Sequence, residues 1–119
     1  MRYIASASVS FGAGHSLGLE SWCGIHAHGH SYQVTVSWIR EGFAATDLDA
    51  WMLNRQRLLD LALELKNRDL AKMLGAQVPN VFGVASFFME RLSLNINVTR
   101  VEVREDNDPV AIIERDTDY

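Results

Sequence analysis

One cysteine, Cys23, is all the chain holds, so no internal disulfide framework can staple this fold. A lone thiol serves packing or chemistry, and its scarcity fits a reducing cytoplasm. Proline is nearly as scarce at two residues, while 48% of the residues are apolar and 22% charged. That balance excludes disorder and low complexity and describes an ordinary globular chain. No apolar run reaches the length of a membrane span. The stretch Met1-Arg2-Tyr3-Ile4-Ala5-Ser6 lacks the apolar core of a secretory signal. No membrane association is therefore expected, and the cytoplasm is the expected compartment. Basic residues are scattered: the net charge is −4 and no Lys/Arg block occurs, which argues against a nucleic-acid partner. At 119 residues the chain suffices for one domain, residues 1–119, and is too short for two.

What is present is patterned. From Arg2 to Phe11 the residues Tyr3, Ala5, Ala7, Val9 and Phe11 share one face of an extended segment. A glycine-rich stretch from Gly12 to Gly29 follows, and the β-branched and aromatic run Tyr32–Ile39 is the clearest strand, ended by Arg40-Glu41-Gly42. Thr46-Asp47-Leu48-Asp49 resembles a capping box with Asp in place of Glu or Gln. Strong helix formers then run from Leu48 to about Leu74, with Met52, Leu59, Ala62, Leu65 and Leu70 as the apolar stripe and Gly75 as the stop. A second helix is expected after Pro79, capped by Asn80 and burying Val81, Val84, Ala85, Phe88 and Leu92. Strands Val98–Glu105 and Val110–Arg115 close the chain around the turn Asp106-Asn107-Asp108-Pro109. The order ββααββ predicts an α+β fold: a four-stranded, mainly antiparallel sheet with two helices on one face. Trp38 is expected in the core or a subunit interface, and Met73 and Met89 in helix packing. Asp106, Asp108, Asp116 and Asp118 read as solvated turn and tail charges, because no EF-type loop frames them.

The histidines are concentrated. Cys23-Gly24-Ile25-His26-Ala27-His28-Gly29-His30 follows His15, and His28 and His30, two apart on an extended chain, share a face. A hairpin could return His15 to the same place. Three neutral imidazoles suit zinc, and a site with three protein ligands leaves one position for water or substrate. The plainer alternative is surface or packing histidines, which the spacing alone does not exclude. His26 lies farther from the strand and is read as exposed or supporting rather than as a ligand.

These residues resemble the 6-pyruvoyl-tetrahydropterin synthase family, which includes the bacterial 6-carboxy-tetrahydropterin synthases. Phe11-Gly12-Ala13-Gly14-His15-Ser16-Leu17 is similar to its F-x-A-x-H-x-L motif. Cys23 with His28-Gly29-His30-Ser31-Tyr32 is similar to C…H-G-H-x-[YF], and Val101-Glu102-Val103-Arg104-Glu105 to the terminal V-x-V-x-E strand. The resemblance implies a T-fold (tunnelling fold) whose subunits join into rings and stack as a homohexamer of two trimers, with active sites between subunits. It also implies zinc held by His15, His28 and His30, Glu105 anchoring the pyrimidine edge of a pterin-like small molecule, and Cys23 as acid/base residue. In that family, zinc polarises side-chain oxygens of dihydroneopterin triphosphate and a thiolate moves the proton released from the neighbouring carbon.

The family's Asp-His pair, which lowers the thiol pKa, is absent. Lys66-Asn67 occupy its place, and no histidine follows His30 in the chain. Asn67 can donate a hydrogen bond but cannot shuttle a proton at neutral pH. Its Thr-x-Glu-Asn stretch likewise appears as Asn80-Val81-Phe82-Gly83. The expectation is a zinc-dependent lyase on a pterin-type substrate with altered or weak activity, in which His26 or Lys66 assists Cys23. The competing expectations are a non-catalytic protein binding zinc and pterin, and a structural oligomer whose histidines only pack.

Overall fold

The structure, a computed structural model, describes residues 2–15, 28–41, 46–75, 80–106 and 110–115. Among the described residues seven elements follow one another: β1 (Arg2–His15), β2 (His28–Glu41), α1 (Asp47–Leu65), α2 (Leu70–Met73), α3 (Val81–Leu92), β3 (Val98–Glu105) and β4 (Val110–Glu114). The strands lie in the order β1-β2-β3-β4, every neighbouring pair antiparallel. The α+β architecture read from the sequence is therefore the observed one.

Alternation fixes which side of the sheet is covered. In β1, Ala7, Phe11 and Ala13 are buried while Ser6, Ser8 and Ser10 are exposed. In β2 the even positions Tyr32, Val34, Val36 and Trp38 are buried, as expected for Trp38. On β3 a bulge sets Ser37 opposite Arg100 but Trp38 opposite Val98, leaving Thr99 as the extra residue. This shift returns Val98 to the core side, where it is fully buried. The outer face is polar, with Arg100 near Glu102 and Glu114 at 3.8 and 3.6 Å. Such exposed pairs add little stability.

The helices cover the other face. Leu58, Leu61, Ala62 and Leu65 of α1, Leu70 of α2, and Val81, Val84, Ala85, Phe88 and Leu92 of α3 all enter the core. Each large side chain fully withdrawn from water contributes about 1.5–3 kcal/mol. The Asn80 side chain caps α3 as expected, accepting from the amides of Phe82 at 2.9 Å and Gly83 at 3.3 Å. Met89 packs inside as expected, whereas Met73, also expected in helix packing, is 38% exposed.

Three local expectations are corrected. Met52, assigned to the buried stripe, is 58% exposed, because Leu58 and Leu61 turn the core-facing side of α1 elsewhere. The capping box does not form: Thr46 is the N-cap at φ −90° and ψ 3°, without a side-chain capping bond. Asp47 instead accepts a hydrogen bond from the Tyr3 hydroxyl, and Trp51 Nε1 donates to the Ser6 carbonyl, tying α1 to β1.

The end of α1 shapes the site. The long helix expected to run to Leu74 stops at Leu65. Asn67 adopts φ 58°, its amide donates to the Gly12 carbonyl at 2.7 Å, and the Gly14 amide donates to the Arg68 carbonyl at 3.0 Å. A short parallel bridge between Gly14 and Asp69 completes the contact. Asp69 then caps α2, its carboxylate accepting from Ala71 N at 2.9 Å. Backbone groups at the outer edge of β1 thus replace the helical bonds this segment gives up.

Asn67 tolerates the left-handed region better than most residues, and a β-branched side chain does not. Asn67→Val is expected to lower unfolding free energy by about 1–2 kcal/mol, and Asn67→Gly to stay within about 0.5 kcal/mol. Urea denaturation of both variants checks this. Equal losses would show that the asparagine side chain, not the backbone angle, carries the effect.

Candidate functional site

The β1–β2 ladder ends in the pairs Phe11–Tyr32, Gly12–Ser31, Ala13–His30, Gly14–Gly29 and His15–His28. Directly opposed residues of an antiparallel pair share a face, and that face repeats every second residue. Positions 15, 28 and 30 therefore fall on the face that carries Phe11 and Tyr32. Backbone register gathers them, whereas the side chains of residues 15 and 28 lie outside the described ones. Cys23 and His26 fall in 16–27, also outside the described residues. Among the described residues no group of three or more His, Cys, Asp and Glu side chains is arranged to hold a metal.

The described part of the site is polar and layered onto the core. Phe11 stacks on Tyr32 with centroids 5.7 Å apart, and on Phe88 at 6.1 Å. The Tyr32 hydroxyl donates to Glu105 Oε1 at 2.8 Å. Glu105, the residue assigned to ligand anchoring, is only 3% exposed, so its carboxylate sits at the border of the core. The His30 ring meets the Tyr32 ring edge-on at 6.4 Å, and its side chain is 10% exposed. His30 Nδ1 lies 2.9 Å from Asp106 Oδ2 and 3.8 Å from Glu105 Oε1.

Asp106, expected as a solvated turn charge, takes part in the site. It stands at φ 54°, accepts from the Ser31 amide at 2.9 Å, and returns its own amide to the Ser31 carbonyl at 2.6 Å. The hydrogen bond with His30, and then that from the Ser31 amide, hold its carboxyl below the ordinary value of 3.8. Its side chain is 55% exposed, yet it is not simply a solvated turn charge. Only the β2–β3 register, which sets Tyr32 opposite Glu105, reveals that the next residue reaches His30.

Beside these groups lies a cavity of about 520 Å³, bounded by residues 12–14 of β1, His30 and Ser31 of β2, the 67–69 segment and Asp106. That volume is in the range of small-molecule sites. The segment carrying Lys66-Asn67 thus reaches the cavity wall at Asn67. It does so only because the helix breaks there.

The class these observations define is α+β, an antiparallel four-stranded sheet with helices over one face, which is the T-fold architecture of the solved structure matched below. No family model matches the chain. No curated protein matches it either. Solved structures do: 6-pyruvoyl tetrahydropterin synthase of Caenorhabditis elegans superposes with a TM-score of 0.81 at 18% identity, over 98% of this chain and 97% of that one. An uncharacterized protein of Wolinella succinogenes matches with a TM-score of 0.63 at 14% identity, covering 98% and 99%. At such identities the likeness establishes the shared fold, and function has to be argued from the site.

The buried Glu105 carboxylate depends on its donors. Tyr32→Phe keeps the ring packing but removes the hydroxyl, and an expected loss of about 1–3 kcal/mol follows for a buried acceptor left short. Combining it with Glu105→Leu should recover part of that loss. Chemical denaturation of the single and double variants measures this, and a loss below about 0.5 kcal/mol for Tyr32→Phe would show that the contact is dispensable.

Proposed function

We propose that this chain is a zinc-binding homologue of 6-pyruvoyl-tetrahydropterin synthase, acting as a lyase on a pterin-type substrate with altered or weak turnover. The observation that carries the reading is the β1–β2 register, which puts positions 15, 28 and 30 on one face, with His30 bordering a cavity of about 520 Å³ and lying 3.8 Å from the buried Glu105. The donor set fits the ion. Three neutral imidazoles match zinc in softness, and three protein ligands leave a position open. His15, His28 and His30 would hold the ion, which when bound would polarise oxygens of the substrate side chain.

The remaining steps belong to the chain's own residues. Glu105, held by Tyr32, accepts two N–H donors from a guanidine-like ring edge and so orients the substrate. Cys23 carries the proton between substrate carbon and solvent. Asn67 stands at the cavity wall where the family has a histidine, and it hydrogen-bonds without moving a proton. The weakened relay is the physical reason for low turnover. It also favours a second reading, a protein that binds zinc and a pterin without converting it.

Assembly into a homo-oligomer, a hexamer of two stacked trimers, belongs to the same proposal. The outer strands of the sheet are β1 and β4, and a strand edge that presents backbone groups favours pairing with another chain.

Zinc analysis and an assay against dihydroneopterin triphosphate and sepiapterin test the proposal. The expected result is stoichiometric zinc, lost in His28→Ala, and slow turnover, lost in Cys23→Ala. Tight pterin binding without turnover, equal in wild type and Cys23→Ala, would establish the second reading. Protein that takes up no zinc would sink both.

A further inference from the structure

A histidine that serves a cation must present one particular nitrogen, and in neutral imidazole the lone pair sits on the nitrogen that lacks the proton. We propose that Asp106 is a positioning residue that holds His30 in the Nδ1–H tautomer and so turns the Nε2 lone pair to the cation. The proposal rests on the zinc reading above, but the tautomer itself is measurable without any metal.

The geometry defines the role. Asp106 Oδ2 lies 2.9 Å from His30 Nδ1, and an ionised carboxylate only accepts, so the hydrogen must sit on that nitrogen. The carboxylate is aimed by contacts of its own. Oδ1 accepts from the Ser31 amide at 2.9 Å, and the Asp106 amide donates back to the Ser31 carbonyl at 2.6 Å. This reciprocal pair fixes Asp106 to the residue next to the histidine it orients. The backbone at φ 54° suits Asp, Asn or Gly and little else. Glu105 Oε1, at 3.8 Å from the same nitrogen, lies beyond hydrogen-bond reach and accepts from Tyr32 instead. With the ring only 10% exposed, His30 has little room to turn over. A carboxylate that accepts from the far nitrogen of a metal-binding imidazole fixes its tautomer and its orientation.

Asp106→Asn is the informative variant because asparagine cannot reproduce both contacts. With its oxygen on Ser31 N–H, its NH2 faces Nδ1 and favours the opposite tautomer. With its oxygen on Nδ1–H, its NH2 collides with the Ser31 amide hydrogen. Asp106→Gly keeps the backbone angle and removes the carboxylate altogether. Two readouts apply to wild type and both variants, with near-UV circular dichroism confirming the fold. The first is 15N NMR of the His30 ring in metal-free protein at mildly alkaline pH. The second is zinc affinity by competition with a chromophoric chelator.

The expected result is a protonated Nδ1 in wild type, a shift toward protonated Nε2 in Asp106→Asn, and zinc bound about 10- to 100-fold more weakly by both variants. A wild-type ring protonated at Nε2 overturns the proposal whether or not zinc binds. Unchanged zinc affinity in both variants overturns it as well. If wild-type protein binds no zinc, the proposed function fails, and the ring NMR alone decides the role of Asp106.

Discussion

The register of β1 against β2 is the constraint on which the rest of the structure depends. Fourteen residue pairs, from Arg2–Glu41 to His15–His28, form one uninterrupted antiparallel ladder. A slip of one residue would move every core side chain of one strand to the solvent face. Burial forbids that slip: Phe11 must meet Tyr32 and Phe88, and Val34 and Val36 are almost completely withdrawn from water. The same packing that stabilises the sheet therefore decides that positions 15, 28 and 30 lie together. A site at the end of this ladder inherits its precision from the core.

The polar groups at that end show how the core gives way to a cavity. A buried carboxylate is costly unless hydrogen-bonded, and Glu105 is held by the Tyr32 hydroxyl. His30 and Asp106 continue the polar layer outward, each fixed by contacts to neighbouring strands. On the opposite wall, the 66–69 segment leaves the helix and pins itself to Gly12 and Gly14. The cavity is thus bounded by backbone that cannot shift without losing strand hydrogen bonds. A binding site on such elements is held more firmly than one on loops alone.

Much of this was legible in residue order, because alternation and helical periodicity are local signals. Val98–Glu105 has the boundaries expected, α3 buries the five residues assigned to it, and Asn80 caps it. The four strands and their antiparallel arrangement followed from the ββααββ order. The anchoring role of Glu105 comes from the resemblance alone; an exposed charge at a strand end was the plainer reading of its position, and burial at 3% exposure excludes that reading. The histidines were picked out from the sequence, although residues 16–27, with Cys23 and His26, lie outside the described ones.

What the sequence could not supply was anything set by contact between distant segments. Residues 47–74 contain neither glycine nor proline, so propensity read them as one helix. The break at Leu65 exists because the β1 edge offers hydrogen bonds to Asn67 and Arg68 that a continued helix would forgo. Asp106 looked like a turn charge because its partner His30 lies 76 residues away in the chain. Local composition determined the elements, their order and the candidate donors. Tertiary structure alone decided which donors meet, since pairing register and edge contacts follow from the packing of the whole core.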